Sequence, residues 1–207
     1  MTQMAVNQPS SDNLKPEITK KFISLAVYFY TGIFLVGAII IFFLQGKEFG
    51  LKQAFQFKQP WLILVYGILT AIGVILAGIL LSERLSFIRK LEHEFRTVLG
   101  QLKFHHCIIL ALSSGLAEET FFRGGLQPLI GLVPTSLVFG LAHFPLKKTL
   151  LPWTVFAFIM GLLLGWLYLE TQSLFTPIIT HSLINLVNLY RLTHNNLPSH
   201  SEWNVEE

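Results

Sequence analysis

Five ionisable side chains, Glu118, Glu119, Arg123, His143 and His181, stand in stretches that are otherwise apolar enough to cross a membrane. On insertion scales a charge near the bilayer centre costs about 2.5 to 3.5 kcal/mol, so several facing lipid would cost on the order of 10 kcal/mol. Such a chain folds only if these groups face one another, or water, inside a helical bundle. Composition agrees. The 207 residues are 52% hydrophobic and 13% charged, against about 25% charged in soluble domains, and mean hydropathy is +0.57. The sequence therefore predicts an all-α integral membrane protein forming one domain: a polytopic bundle of about six transmembrane helices plus one interfacial amphipathic helix.

Residues 22–45 hold no charge and would rise about 36 Å as a helix, enough to cross a hydrocarbon core. Gln45-Gly46-Lys47-Glu48 offers no small-residue cleavage site, so this first span is expected to stay in the mature protein. Residues 61–82 form a second, entered through Pro60 and Trp61, a helix start at the interface. From 83 to 103 the pattern changes: Leu85, Ile88, Leu91, Phe95, Val98, Leu99 and Leu102 recur at three- and four-residue steps among basic residues, as in an amphipathic helix lying on a membrane. His93 reads as solvated there, and His105 and His106 as snorkelling at the next interface. Four more apolar stretches follow, at about 104–130, 132–145, 151–169 and 174–190, the second short for a span. Gly161 and Gly165 make a GxxxG pair, and Gly73 with Ala77 a similar one, both suited to close helix contact. The expected organisation is a flexible tail over 1–20, two spans and the amphipathic helix over 21–103, a four-helix core over 104–193, and a second tail over 194–207.

The net charge of +3 and pI near 9.0 do not point to nucleic acid, because the basic residues cluster between apolar runs rather than forming one stripe. Lipid headgroups explain them. With a cytoplasmic N-terminus, Lys15, Lys20, Lys21, Arg84, Arg89, Lys90, Arg96, Lys103, Lys147, Lys148 and Arg191 lie inside, while Lys47, Lys52 and Lys58 lie outside. The positive-inside rule then sets both termini in the cytoplasm. The single Cys107 allows no internal disulfide and reads as a small core thiol.

Spacing assigns the polar groups. On an α-helix Glu119 and Arg123 lie within about 40° of each other and Glu118 and Arg123 about 140° apart. Arg123 is thus the partner of Glu119, leaving Glu118 as a carboxylate not neutralised by its own helix. Burial disfavours a carboxylate's charged form, which makes such a group a better base toward water. Phe139 precedes His143 by one turn, and His181 precedes Asn185 by one turn. His and Asn at such places can bind metal or donate to a developing oxyanion.

The ordered motifs EExxxR, FxxxH and HxxxN on successive apolar helices, with the fuller strings EETFFRGG and TPIITHSLINLV, resemble the type II CAAX prenyl endopeptidases, also called the CPBP or ABI family of intramembrane proteases. The resemblance covers about residues 104–190. It implies a water-activating role for Glu118 with His143, oxyanion stabilisation or ligation by His181 and Asn185, and structural support of the site by Glu119 and Arg123, with Phe139 heading the FxxxH motif. HExxH is absent, yet Glu118, His143, His181 and Asn185 could still surround a divalent metal, zinc being the first candidate. Either chemistry hydrolyses a peptide bond without an acyl-enzyme. Members of the family trim prenylated proteins, process bacteriocin-like peptides or protect against them.

The expected partners are membrane lipid and a peptide or protein substrate near the cytoplasmic face of a bacterial plasma membrane, with no nucleic acid. Two other classes compete. A non-proteolytic bacteriocin-immunity-type protein would use the polar cluster as internal glue. A proton-coupled transporter would use it as a relay, but no second copy of EExxxR or HxxxN signals the expected internal repeat.

Overall fold

The computed structural model of the chain describes residues 11–44, 54–56, 59–144 and 151–194, which contain helices and no strand. The helices are α1 (Ser11–Leu44), α2 (Pro60–Arg84), α3 (Ser86–Leu99), α4 (Phe104–Glu119), α5 (Leu132–Ala142), α6 (Leu151–Thr171) and α7 (Phe175–His194). After Glu119, α4 runs on as a π-helix (Thr120–Leu126) and a last α turn (Gln127–Ile130).

Helix α1 begins at Ser11, so the expected loose tail is helical from that residue. The long apolar helix behind it is already nucleated and propagates backward easily. Residues 1–10, the C-terminal tail beyond 194, and Lys47, Lys52, Lys58, Lys147 and Lys148, on which the charge count partly rests, lie outside the described residues.

Three helices are long and apolar enough to cross a bilayer: Thr19–Phe43 within α1, then α2 and α6. The expected six are not reached on that measure, for two physical reasons. Helix α5 has 11 residues and rises about 16 Å, half a hydrocarbon core. Helices α4 and α7 carry the polar groups of the interior, and α7 interrupts its 20 residues with His181, Asn185, Asn188 and Arg191. Outward, the bundle is apolar: Leu25, Tyr28, Phe43 and Leu69 are all more than half exposed, as suits a lipid-facing surface.

Close contacts set the order of the helices. Ile23 of α1 clusters with Cys107 and Leu110 of α4, Gly37 lies against Thr120 and Phe121, and Ile41 against Gly124, so α1 and α4 run parallel. Helix α7 runs antiparallel to α4, with Asn185 beside Ser114 and His181 beside Glu119. Helix α6 is parallel to α4: Arg123 Nη2 donates to Gly161 O at 3.0 Å and Gln127 Nε2 to Gly165 O at 2.9 Å. On that register Leu151 is level with Ser113, so α6 starts about 14 Å inside the beginning of α4.

Helix α3 occupies the space below. Leu85, extended, separates it from α2. It docks through Phe95, edge-on to Trp153 of α6 at 5.0 Å, and through Glu92, 3.8 Å from Arg191 of α7. Burial pushes the Glu92 carboxyl up from its ordinary range, against the pull of Arg191, as expected of a helix seated on protein rather than free in water.

The closest approach of a glycine to the backbone of another helix is at Gly37, where an added Cβ would lie 2.7 Å from Phe121 Cα and 2.8 Å from Phe121 N. Gly37→Ala is expected to cost about 1 to 3 kcal/mol by overpacking against backbone, read as a lowered midpoint of thermal unfolding in detergent, whereas Gly73→Ala, where nothing lies within 4 Å, should leave it unchanged.

Candidate active site

Glu118 and Glu119 close the α-helical part of α4, and the π-helix begins at the next residue. A π-helix widens the turn and redirects the side chains that follow, and such segments gather at functional sites. Here the wide turn carries Arg123 into the interior. Gly124 and Gly125 permit it, since a Cβ on the first would meet Ile41 and Leu174 and one on the second would touch Ile40.

Arg123 and Glu119 are fully buried. Arg123 Nη1 donates to Glu119 Oε1 at 3.1 Å, and the same oxygen accepts from His181 Nδ1 at 2.7 Å. Arg123 Nη2 is taken by Gly161 O, and the guanidinium carbon lies 4.5 Å from the centre of the Phe139 ring, a cation–π contact. Four helices thus meet on one carboxylate–guanidinium pair. Phe139, the first residue of FxxxH, touches both sides of the site: its ring centre is 4.5 Å from that of His143 and 6.2 Å from that of His181.

Glu118 stands apart from this pair. Its Oε2 is buried without a hydrogen-bond partner among the described residues and faces His143 Nε2 at 3.6 Å. His143 caps α5, its Nδ1 lying 2.8 Å from Phe139 O. A carbonyl oxygen only accepts, so Nδ1 carries the hydrogen and Nε2 of the neutral ring presents a lone pair. A neutral ring would face an ionised Glu118 as a second acceptor, an arrangement that a donor between them would satisfy, whereas a protonated ring would pair with the carboxylate directly.

Asn185 is held one turn beyond His181 on α7. Its Nδ2 donates to Ser114 Oγ at 2.9 Å, and Ser114 donates to Ala111 O at 3.2 Å. The structure therefore brings together Glu118, His143, His181, Phe139, Glu119 and Arg123, with Asn185 at their edge. Ser114 and Trp153, whose ring centre is 6.2 Å from that of His143, were missed from sequence, and Gly161 was read there only as a helix-contact residue. Ser114 and Gly115 in the SSG stretch before the glutamates were the available sign, because small residues there let α7 approach: a Cβ on Gly115 would collide with Ser182 Oγ. A polar cavity at the opposite end of the bundle, lined by Gln56, Gln59, Tyr66 and Glu170 among others, includes no histidine.

A catalytic zinc takes three protein ligands, and Glu118, His143, His181 and Asn185 are the residues that would hold one. With His181 Nδ1 bonded to Glu119 and Asn185 Nδ2 to Ser114, His181 Nε2 and Asn185 Oδ1 remain the donor atoms free for it, while no three His, Cys, Asp or Glu side chains converge closely among the described residues.

A helical membrane bundle enclosing a buried Glu–Arg–His cluster beside a second Glu–His pair defines a class of intramembrane site. Over residues 100–187 the chain matches the family described as type II CAAX prenyl endopeptidase Rce1-like. It is also 32% identical over 133 residues to the uncharacterized protein YpbD of Bacillus subtilis (strain 168), a match covering 60% of this chain and 66% of that one, just short of two thirds. No solved structure matches.

Arg123→Met removes the partner of a carboxylate with no exposure. The uncompensated charge is expected to cost about 3 to 5 kcal/mol, seen as loss of folded protein on size-exclusion chromatography in detergent, and pairing with Glu119→Gln should recover part of it.

Proposed function

We propose that this chain is an intramembrane endopeptidase that hydrolyses a peptide bond of a membrane-associated protein or peptide with water activated between Glu118 and His143. The observation that carries this reading is the 3.6 Å approach of Glu118 Oε2 to His143 Nε2, two acceptors that a single water can bridge. Such a water donates one hydrogen to each and turns its oxygen lone pairs outward. Attack forms the C–O bond while Glu118 takes the proton. The carbonyl π pair moves to oxygen, giving a tetrahedral oxyanion that needs donors.

His181 is placed to supply one. Its Nδ1 hydrogen is held by Glu119, which orients the ring and leaves Nε2 for the substrate. A proton there makes it a donor and balances the excess negative charge of Glu118 and Glu119 over Arg123. Asn185 has a second amide hydrogen beyond the one given to Ser114. Collapse of the intermediate breaks the C–N bond, and the leaving amine takes the proton held by Glu118. Glu119, Arg123 and Phe139 hold these groups and need not touch substrate. No metal is required in this scheme.

The family's description names a prenyl endopeptidase, so a peptide carrying or mimicking a lipid anchor is the substrate class that fits. A bacterial relative and the distribution of basic residues support a bacterial plasma membrane with both termini cytoplasmic, and a substrate entering where α5 and α6 stop short.

Removing the base while keeping its shape tests the reading. In proteoliposomes, Glu118→Gln should lower cleavage of a pool of internally quenched fluorogenic peptides by about 10²- to 10⁴-fold, and wild-type activity should survive chelator treatment. Full activity in Glu118→Gln overturns the mechanism and favours a non-proteolytic, immunity-type role, while loss on chelation that zinc restores overturns the metal-free scheme. For orientation, a reporter fused after Lys148 should read cytoplasmic, and an external signal there reverses the topology.

A further inference from the structure

We infer that Tyr30 of the first helix is a further catalytic residue of this site, its phenol donating a hydrogen bond to the carbonyl oxygen that water attacks. The inference rests on the protease reading above and deepens it. It also assigns a part to α1, which lies wholly outside the matched segment 100–187.

The inward face of α1 is drawn by Ile23, Val27, Tyr30, Phe34, Gly37 and Ile41, which recur at three- and four-residue steps and are buried or half-buried. Their neighbours Tyr28 and Phe29 are 76% and 62% exposed. Tyr30 is thus turned into the bundle where the adjacent aromatics face lipid. Its height follows from the parallel register with α4. Ile23 lies with Cys107 and Leu110, Gly37 with Thr120 and Phe121, and Ile41 with Gly124. Between those fixed points Tyr30 is level with Ser113 and Ser114, one turn before Glu118 and at the level where α6 begins. Helical side chains lean toward the N-terminus, which puts the phenol at or just below the level of Ser114, the residue that holds Asn185, and within electrostatic range of Glu118.

Chemistry gives the phenol its role. No hydrogen bond from Tyr30 to protein is present among the described residues, and its hydroxyl is not among the buried unpartnered atoms, so the oxygen is open to a partner from outside the protein. Glu118 is occupied as the base, Glu119 by Arg123 and His181. The remaining demand in the reaction is for donors to the oxyanion, where one preorganised donor is worth about 10²- to 10³-fold in rate. Tyr30 approaches from α1, across the site from His181 on α7, so the two would grip the oxygen from separate helices.

The test uses full-length protein in proteoliposomes and the pool of quenched peptides. Tyr30→Phe, which removes only the hydroxyl, should lower kcat on the order of 100-fold with KM within about twofold and an unchanged thermal unfolding midpoint. Tyr28→Phe, at the exposed neighbour, should match wild type. Wild-type kcat in Tyr30→Phe, alongside an inactive Glu118→Gln, overturns the role of Tyr30 and leaves the protease reading standing. A loss confined to KM assigns Tyr30 to ground-state binding and overturns its catalytic part. A wild-type protein inert toward every peptide in the pool overturns both.

Discussion

One oxygen atom organises the interior. Glu119 Oε1 accepts from Arg123 on its own helix and from His181 on α7, and Arg123 extends the contact to the backbone of α6 and the ring of Phe139 on α5. In hydrocarbon there is no water to take over any of these bonds, so each helix must be in place for the others to be satisfied. A buried ion pair of this kind adds little net stability compared with apolar packing. What it adds is arrangement: displace any of the four helices and a charge is left bare.

Close approach of backbones makes that arrangement reachable. Gly161 and Gly165 were expected to serve helix contact, and they do so in a particular way, since their bare backbone lets Arg123 and Gln127 donate to the carbonyls of α6 one turn apart. A Cβ on Gly161 would lie 3.0 Å from Ser136 Cα, so the same glycine also admits α5. Gly115 and Gly37 admit α7 and α1 from the other sides. Small residues and charged ones are here parts of a single device: the first permit the distance at which the second can bond.

Much of this was legible in the sequence because it is local. The Glu119–Arg123 pair follows from four-residue spacing, the freedom of Glu118 from the residue's one-step offset, and the first, second and α6 spans from uninterrupted apolar runs. The order of EExxxR, FxxxH and HxxxN was enough to suggest the family. What was not legible depends on contacts between distant segments or on lengths of helix. The π-helical turn after Glu119 leaves no mark beyond Gly124-Gly125. Ser114 as the partner of Asn185, and the side of α1 that faces the site, follow only once the helices are packed. The count of six is not confirmed, because polar groups dilute α7, the α-helical part of α4 has 16 residues before its π turn and α5 has 11, and hydropathy cannot tell a buried polar helix from a loop or a half-length helix from a full one.

The early end of α5 bears on the surrounding lipid. This helix rises only about half a hydrocarbon core and ends on His143, so acyl chains beside it would have to tilt or withdraw to meet the protein. On the reading proposed above, such a margin would draw headgroups and solvent toward Glu118 and His143 and deliver reactant water from the lipid boundary rather than through a tunnel, which would make the thickness of the host membrane a variable on which turnover depends.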